Sequence, residues 1–269
     1  MKKRILLILL MLVLVLVLAI PAVAITDGEP DGEGHPYVGL AVFDNADGRP
    51  MWRCTGTLIS PTLFLTAGHC TDGAAGATIW FESDVGAGYP GNGYPWSGST
   101  SVEGTPYSHP SYNPSAFYLY DLGVVVLDEP VYMDEYGVLP EEGLFDELAT
   151  ARGRQDVNIT AVGYGLQYIN PVFIEAQLVR MTAVLQLVDV NGTAGIPAGT
   201  SVSLSGDAAR GGTCFGDSGG PLFAGDSNVV AAVTSFGLNG NCAGIGGGYR
   251  VDTADDLDWL YGTFGDHIP

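Results

Sequence analysis

Lysine is almost absent from this chain of 269 residues, which carries Lys2 and Lys3 near its start and no other lysine. Basic residues total 10 against 30 acidic ones, so the formal net charge is −20. Nucleic acids are bound by clusters of basic side chains, and an acidic surface repels their phosphates. The composition therefore excludes nucleic acid as an expected partner. It favours a chain that stays in solution without self-association, and we expect a monomer.

Signatures of cofactor and metal sites are missing as well. The sequence contains no glycine-rich phosphate loop, no Cys-x-x-Cys pair and no histidine cluster with metal-ligand spacing. Acidic residues do gather at residues 44–48, but their spacing does not match a calcium loop, and a hairpin turn explains them better. We therefore expect neither a metal ion nor a cofactor.

The one long apolar run, residues 5–20, is shorter than the roughly 20 residues that a membrane-spanning helix needs. It follows a basic start and precedes an Ala-x-Ala pattern at residues 22–24. These features predict a secretory leader over residues 1–24 that is cleaved before Ile25, with an uncleaved membrane anchor as the alternative. We expect a secreted protein that leaves the membrane after cleavage.

Glycine (39 residues) and proline (16 residues) are frequent, a composition typical of short strands joined by turns. Residues 83–106 are rich in glycine, serine, tyrosine and proline and predict a long surface loop or hairpin. Near the end, residues 252–264 predict a short helix with Thr253 as its cap, packed on the second half of the chain. Strands are predicted at residues 37–43, on both sides of Ser60-Pro61, and at 122–127, 157–165, 176–188 and 200–204.

Three short motifs carry the chemistry. In Gly-Asp-Ser-Gly-Gly-Pro, at residues 216–221, the glycines leave the Ser218 hydroxyl accessible. They also let the N–H groups of Gly216 and Ser218 point towards an oxyanion. Leu-Thr-Ala-Gly-His-Cys, at residues 65–70, ends an apolar strand with His69. Asp121 precedes another apolar strand, where a carboxylate is costly unless a partner stabilises it.

In this order, the motifs resemble those of the chymotrypsin/trypsin-like serine endopeptidases, and the resemblance covers residues 25–262. It implies an all-β fold of two six-stranded antiparallel β-barrels with a short C-terminal helix. Residues 25–135 would form the N-terminal barrel, and residues 136–269 the C-terminal barrel and the helix.

The resemblance also implies the role of each residue. Ser218 would be the nucleophile, His69 the general base and Asp121 the residue that orients it, while Gly216 and Ser218 would form the oxyanion hole. Polypeptides would be the substrates, and protein protease inhibitors would be further partners.

Four cysteines in an exported chain predict two disulfides, for which three pairings exist. The resemblance implies Cys54–Cys70 and Cys214–Cys242. Two sequons, at Asn158 and Asn191, would carry glycans in a host that glycosylates.

The resemblance further implies a specificity pocket. Its floor would hold Gly212 and Thr213 and no acid to pair with arginine or lysine, and its glycines would leave it open. We therefore expect cleavage after aromatic or large aliphatic residues. The pocket walls would come from two stretches: Ser235, Phe236 and Gly237, and Gly246, Gly247 and Gly248.

Activation would depend on the new N-terminus. By the same resemblance, the free ammonium of Ile25 would pair with Asp217, so that leader cleavage alone would activate the enzyme. A disordered N-terminal tail is the alternative.

Two other functions fit parts of the sequence. One is a non-catalytic binding protein on the same scaffold, although such relatives generally lose a triad member. The other is an esterase of unrelated fold, since residues 216–220 also fit Gly-x-Ser-x-Gly. Only His267 follows Ser218, however, so the residue order of that class is not available.

Overall fold

The computed structural model describes residues 25–26, 28–148, 157–169, 174–191, 196–206 and 211–269. The predicted leader lies outside these residues. Among the residues described, no helix is long and apolar enough to cross a membrane.

The first half of the chain forms a closed antiparallel barrel. A two-residue strand, β1 (Glu29–Pro30), comes before it. The barrel strands pair in the order β2-β3-β4-β7-β6-β5, so the last strand returns to the first. Their bounds are β2 (Val38–Asp44), β3 (Pro50–Ser60), β4 (Leu63–Thr66), β5 (Gly76–Trp80), β6 (Ser101–Ser108) and β7 (Gly123–Leu127). Apolar side chains such as Leu40, Phe64 and Val124 fill its interior and are fully buried.

The second half forms another closed antiparallel barrel. Six of its strands pair in the order β11-β12-β15-β14-β13-β8, and β8 also pairs with β11, which closes the ring. β1 adds to this sheet beside β11, although it lies in the part of the chain predicted for the N-terminal barrel. The strands are β8 (Asn158–Gly163), β9 (Tyr168–Ile169), β10 (Ile174–Glu175), β11 (Met181–Asp189), β12 (Ser201–Gly206), β13 (Pro221–Ala224), β14 (Val230–Gly237) and β15 (Gly244–Arg250).

Helices are short and lie at strand ends. They are α1 (Gly68–Thr71), α2 (Val85–Gly88), α3 (Leu144–Leu148) and α4 (Ala254–Phe264), with 3₁₀ turns at Pro114–Ala116 and Gly265–His267. The fold therefore confirms the predicted class of two six-stranded barrels with a short C-terminal helix. The region expected as one loop or hairpin at residues 83–106 holds α2 and most of β6.

The C-terminal helix is where packing differs from the prediction. The Phe264 ring packs edge-on against Tyr107, with the ring centres 5.6 Å apart, and Trp259 packs in the same way against His109 at 4.9 Å. These partners belong to β6 and the loop that follows it, in the first half of the chain. The expectation that α4 packs on the second half is thus wrong, because its aromatic side chains find their ring partners on the first barrel.

The hydrogen bonds at the start of α4 also differ from the predicted cap. Thr253 is at the N-cap position, as predicted, but its hydroxyl accepts no backbone N–H. It lies instead within hydrogen-bond distance of two carboxylate oxygens, Asp255 Oδ1 at 2.7 Å and Asp256 Oδ2. Tyr249 on β15 donates to the same Asp256 Oδ2 at 2.9 Å. One link from α4 therefore does reach the second barrel.

A fully buried arginine joins the N-terminal segment and both barrels. Arg180 Nε donates to Asp31 Oδ2 at 2.8 Å, and its Nη1 donates to the carbonyl of Phe81 at 2.9 Å. The same Nη1 lies 3.2 Å from the hydroxyl of Tyr164, and Nη2 donates to the carbonyl of Gly32 at 2.6 Å. Since a buried charge is tolerated only when it is paired, this network fixes how the two halves meet.

Candidate active site

His69 is held where β4 turns into α1. Its ring is 26% exposed, whereas its neighbour Cys70 is fully buried and forms a disulfide with Cys54 on β3. The predicted pairing of the four cysteines is present, since Cys214 and Cys242 form the second disulfide. The Cys54–Cys70 bond ties the short helix to the barrel wall and fixes the backbone that carries the imidazole.

Asp121 lies directly before β7 and is fully buried. Its Oδ1 accepts the backbone N–H of His69 at 2.7 Å, and its Oδ2 lies 2.9 Å from Nδ1 of the His69 ring. The hydroxyl of Ser235 on β14 donates to the same Oδ2 at 2.5 Å. Both oxygens of the carboxylate therefore have hydrogen-bond partners within the protein, and the carboxylate fixes the plane of the imidazole.

Ser218 lies in the loop between β12 and β13, which we call the nucleophile loop (residues 211–220). Gly216 and Gly219 have φ angles of 99° and 76°, a region that glycine adopts freely. A Cβ on Gly219 would collide with the Thr66 hydroxyl. The loop thus packs against the first barrel at a distance that only glycine allows.

Ser218 and His69 face the same cleft. No hydrogen bond joins the Ser218 hydroxyl to the His69 ring in this structure, a looseness common in sites without substrate. Among the described residues, the N–H groups of Gly216 and Ser218 donate to no other group, so both are available to a ligand.

Asp217, between these two residues, is 1% exposed. Its carboxylate accepts the N–H of Gly165 at 2.7 Å and that of Cys214 at 2.8 Å. Burial raises the pKa of Asp217 to about 7, against the opposing effect of the two N–H groups and the nearby Arg53 guanidinium. A further cation beside the carboxylate would therefore favour its ionised form at neutral pH.

Ile25, the predicted partner of Asp217, is the first residue described and is fully buried. The next residue, Thr26, pairs with Gly212 at the base of the nucleophile loop, and Gly212 N–H donates to Thr26 O at 2.9 Å. The N-terminal segment is thus packed beside the loop that carries Asp217, which differs from the alternative of a disordered tail.

The cleft beside Ser218 holds about 450 Å³. Of the residues predicted for a specificity pocket, it is lined by Thr213, Ser235, Phe236 and Gly237. Gly212 instead lines a smaller cavity of about 10 Å³ next to it, together with Gly246.

Gly247 is not among the lining residues. A Cβ on Gly247 would collide with the Phe236 ring, whereas one on Gly246 would point at the Thr213 hydroxyl, 2.9 Å away. Of the three glycines predicted for this wall, Gly246 lines the smaller cavity beside the cleft.

Four residues that line the cleft were not predicted from the sequence: Phe117, Phe215, Thr234 and Asn239. Phe215 directly precedes Gly216, and that proximity was a usable signal. Phe117 and Phe215 are 43% and 57% exposed, so large apolar surface borders the site.

One group of side chains has the spacing of metal ligands. The ligand atoms of Cys54, His69 and Cys70 all lie within 4.8 Å of one another. The two sulfurs are joined in a disulfide, so they are not available as thiolates, and we assign no metal to this group.

Comparison with known proteins gives consistent results. The family model described as Trypsin matches residues 29–260. The chain is 29% identical over 242 residues to Serine protease 1 of Drosophila melanogaster, covering 88% of this chain and 84% of that protein. It is 30% identical over 213 residues to brachyurin of Leptuca pugilator, covering 78% and 87%.

Solved structures agree on the fold. HL collagenase superposes with a TM-score of 0.69 at 22% identity and covers 89% of this chain and 98% of its own. Human heparin binding protein superposes with a TM-score of 0.63 at 20% identity, covering 88% and 95%. Because the family model matches most of the sequence and the barrels match these structures, the chain belongs to the trypsin family and is a trypsin-like serine endopeptidase.

Proposed function

We propose that this protein is a secreted endopeptidase that cleaves peptide bonds through Ser218, His69 and Asp121, after aromatic or large aliphatic residues. The observation that carries the proposal is the buried Asp121 carboxylate, which accepts the backbone N–H of His69 and lies 2.9 Å from its ring. His69 in turn lines the same cleft as Ser218. Burying a carboxylate in this position lowers the stability of the fold unless partners replace its hydration. Here the carboxylate orients the imidazole that acts as general base.

The chemistry follows from these positions. Ser218 Oγ attacks the scissile carbonyl while His69 Nε2 takes its proton, and the carbonyl oxygen becomes an oxyanion that the N–H groups of Gly216 and Ser218 bind. His69 then gives the proton to the leaving amine. Water enters, loses a proton to the same imidazole and attacks the acyl carbon. The bond to Ser218 Oγ then breaks, His69 returns the proton to Oγ, and the acid product is released.

Asp121 contributes by holding one tautomer. With the proton on Nδ1 directed at Oδ2, Nε2 is left as the basic nitrogen that faces the cleft. The charged carboxylate also stabilises the imidazolium that forms in each transition state.

The cleft supports a preference for large apolar side chains. Its volume of about 450 Å³ and its Phe236, Phe215 and Phe117 rings offer apolar surface. Among the residues that line it there is no carboxylate to neutralise arginine or lysine. A side chain such as phenylalanine would lose water against these rings, which favours binding roughly in proportion to the apolar area buried.

Activation by leader removal is part of the proposal. The leader itself lies outside the described residues, but Ile25 and Thr26 are already packed at the base of the nucleophile loop. Cleavage before Ile25 would create an ammonium group there. This group would supply the cation that the buried Asp217 requires.

A binding protein without catalysis has less support. One structural neighbour is named for heparin binding, and heparin is a polyanion. This chain has a net charge of −20, so a polyanion would be repelled. All three candidate residues of a triad are also present.

Cleavage of a mixed peptide library by the mature protein tests the proposal. We expect cuts after phenylalanine, tyrosine and leucine, and none with Ser218→Ala. Cuts after other residues would refute the pocket assignment and keep the mechanism. Equal activity in Ser218→Ala would refute the mechanism.

A further inference from the structure

Thr55 lies where the first barrel meets the nucleophile loop. It is on β3 and is fully buried. Its N–H donates to the carbonyl of Ser218 at 2.8 Å, and its own carbonyl accepts the hydroxyl of Thr66 at 2.8 Å. The backbone of Thr55 is thereby fixed on one side by its own barrel and on the other by the residue that carries the nucleophile.

The Thr55 hydroxyl uses its donor and its acceptor capacity across the barrel boundary. It donates to the carbonyl of Gly216 at 2.8 Å and accepts the N–H of Tyr164 at 3.0 Å. Tyr164 follows β8, and its side chain is fully buried. A hydroxyl with both partners satisfied in a dry site has one favourable orientation, because turning it leaves a buried polar group without a partner.

Gly216 is the residue that needs such an anchor. Its φ of 99° lies in a region that glycine adopts freely. Because glycine has no Cβ, its backbone has more rotational freedom than that of any other residue type. Its N–H and its carbonyl are attached to the same Cα atom. A bond that fixes the carbonyl therefore also limits the directions in which the N–H can point.

We propose that Thr55 is a positioning residue for the oxyanion hole. Its hydroxyl holds the Gly216 carbonyl, so that the Gly216 N–H stays directed into the cleft before substrate arrives. Thr55 does not touch the substrate and acts through Gly216. This inference rests on the proposed function, which assigns the oxyanion to Gly216 and Ser218.

Substitution of Thr55 by valine removes the hydroxyl and keeps the shape. Complete loss of an oxyanion donor costs about 100- to 1000-fold in kcat, so we expect a misdirected donor in Thr55→Val to cost about 10- to 100-fold. KM should change by no more than about threefold, because the anchor acts in the transition state and not in substrate binding. A peptide boronate, whose tetrahedral adduct places an oxygen in the oxyanion hole, should bind more weakly by the same factor as kcat.

Thr57→Val is the matched control. Thr57 is on the same strand and is equally buried, but its hydroxyl has no hydrogen-bond partner among the described residues. We expect wild-type kcat and boronate affinity in this variant. Thr55→Ser keeps the hydroxyl and should recover kcat to within about threefold of wild type.

The possible outcomes distinguish a failure of this inference from a failure of the proposed function. An active wild type together with unchanged kcat in Thr55→Val would overturn the inference and leave the proposed function standing. An equal loss in Thr55→Val and Thr57→Val would also overturn it. A mature wild type that is folded but inactive would overturn both. If Thr55→Val does not fold, Thr55→Ser and Thr55→Ala differ by the hydroxyl alone, and equal kcat in that pair would overturn the inference.

Discussion

Asp121 combines complete burial with bonds from the backbone of His69, the ring of His69 and Ser235. Each of these partners presents a hydrogen to the carboxylate. A side chain of the same shape with one amide nitrogen would place a donor against a donor, and the imidazole would change its tautomer or turn away. The charge and the acceptor pattern of Asp121 are thus both needed.

We predict that Asp121→Asn leaves the fold intact and lowers kcat by about 10⁴-fold, the magnitude known for the same substitution in another enzyme of this class. Steady-state kinetics on a peptide substrate gives the value. Asp128→Asn is the control, since Asp128 follows the same strand and is exposed. A loss of tenfold or less in Asp121→Asn would contradict the assigned role.

Gly237 sets the width of the cleft. A Cβ there would have only the carbonyl of Asn239 near it, at 3.8 Å, so a larger side chain would fit and occupy space that substrate would otherwise fill. We predict that Gly237→Val lowers kcat/KM for phenylalanine substrates by about 100-fold, and much less for alanine substrates.

Gly240→Val is the matched control for the cleft, because a Cβ on Gly240 would have nothing within 4 Å. It should keep the wild-type ratio of the two kcat/KM values. An unchanged ratio in Gly237→Val would show that the substrate side chain binds elsewhere.

At the scale of elements, α1 has only four residues and depends on its attachment to β3. The Cys54–Cys70 disulfide closes a segment of 16 residues. In the chain-entropy model such a link stabilises the fold by about 3 kcal/mol. We predict that Cys54→Ala/Cys70→Ala lowers the free energy of unfolding by about this amount, measured by urea denaturation.

The same double variant should lower kcat/KM, because His69 lies on α1 beside Cys70. Thr57→Val, on the same strand as Cys54, controls for a general effect of altering β3. An unfolding free energy equal to that of wild type would mean that barrel packing alone positions α1.

The elements also show how far the sequence could go. Strands β2, β3, β4 and β7 of the first barrel and the helix at the C-terminus follow from local apolar patterns. Strand β5 was not predicted, and most of β6 lies in the stretch predicted as a loop or hairpin. The motif residues His69 and Ser218 follow from literal matches. The packing of α4 could not be predicted from the sequence, because its partners Tyr107 and His109 are about 150 residues away in the chain and no local pattern indicates them.

Thr55 could not be found from the sequence for a similar reason. It is one of several threonines on β-strands. Thr57, two residues further along the same strand, is equally buried, but within the described part of the chain its hydroxyl has no partner. Only the closure of both barrels brings Thr55 against Gly216. The leader, the oligomeric state and the protein inhibitors stay predictions.

At the scale of the whole molecule, the two barrels meet around buried charges. Arg180 is paired with Asp31, but Asp217 has only backbone donors and the more distant Arg53. Burial raises the pKa of Asp217 to about 7 from its ordinary 3.8. Between pH 3.8 and about pH 7, Asp217 is therefore protonated in the folded chain and ionised in the unfolded chain. The stability contribution of this group is then present below about pH 4 and is lost as the pH rises to about 7.

We predict that a chain with Ala24 kept before Ile25 shows this loss of stability between pH 4 and pH 7, measured by urea unfolding of the Ser218→Ala form. The mature chain, with an ammonium on Ile25, should not show it. With an intact Ser218, the chain that keeps Ala24 should have kcat/KM lower by about 100-fold or more, because a buried ion pair that lacks one partner costs roughly 3–5 kcal/mol. Equal activity of the two chains would refute activation by leader removal.

The most direct test of the whole account is to treat the mature protein with a serine-directed covalent inhibitor and locate the adduct by peptide mass spectrometry. The account predicts one adduct per chain, on Ser218, and none in Ser218→Ala. A second sample with His69→Ala should react far more slowly, because the base that activates the hydroxyl is missing. A folded mature protein that begins at Ile25 and forms no adduct on Ser218 would contradict the account.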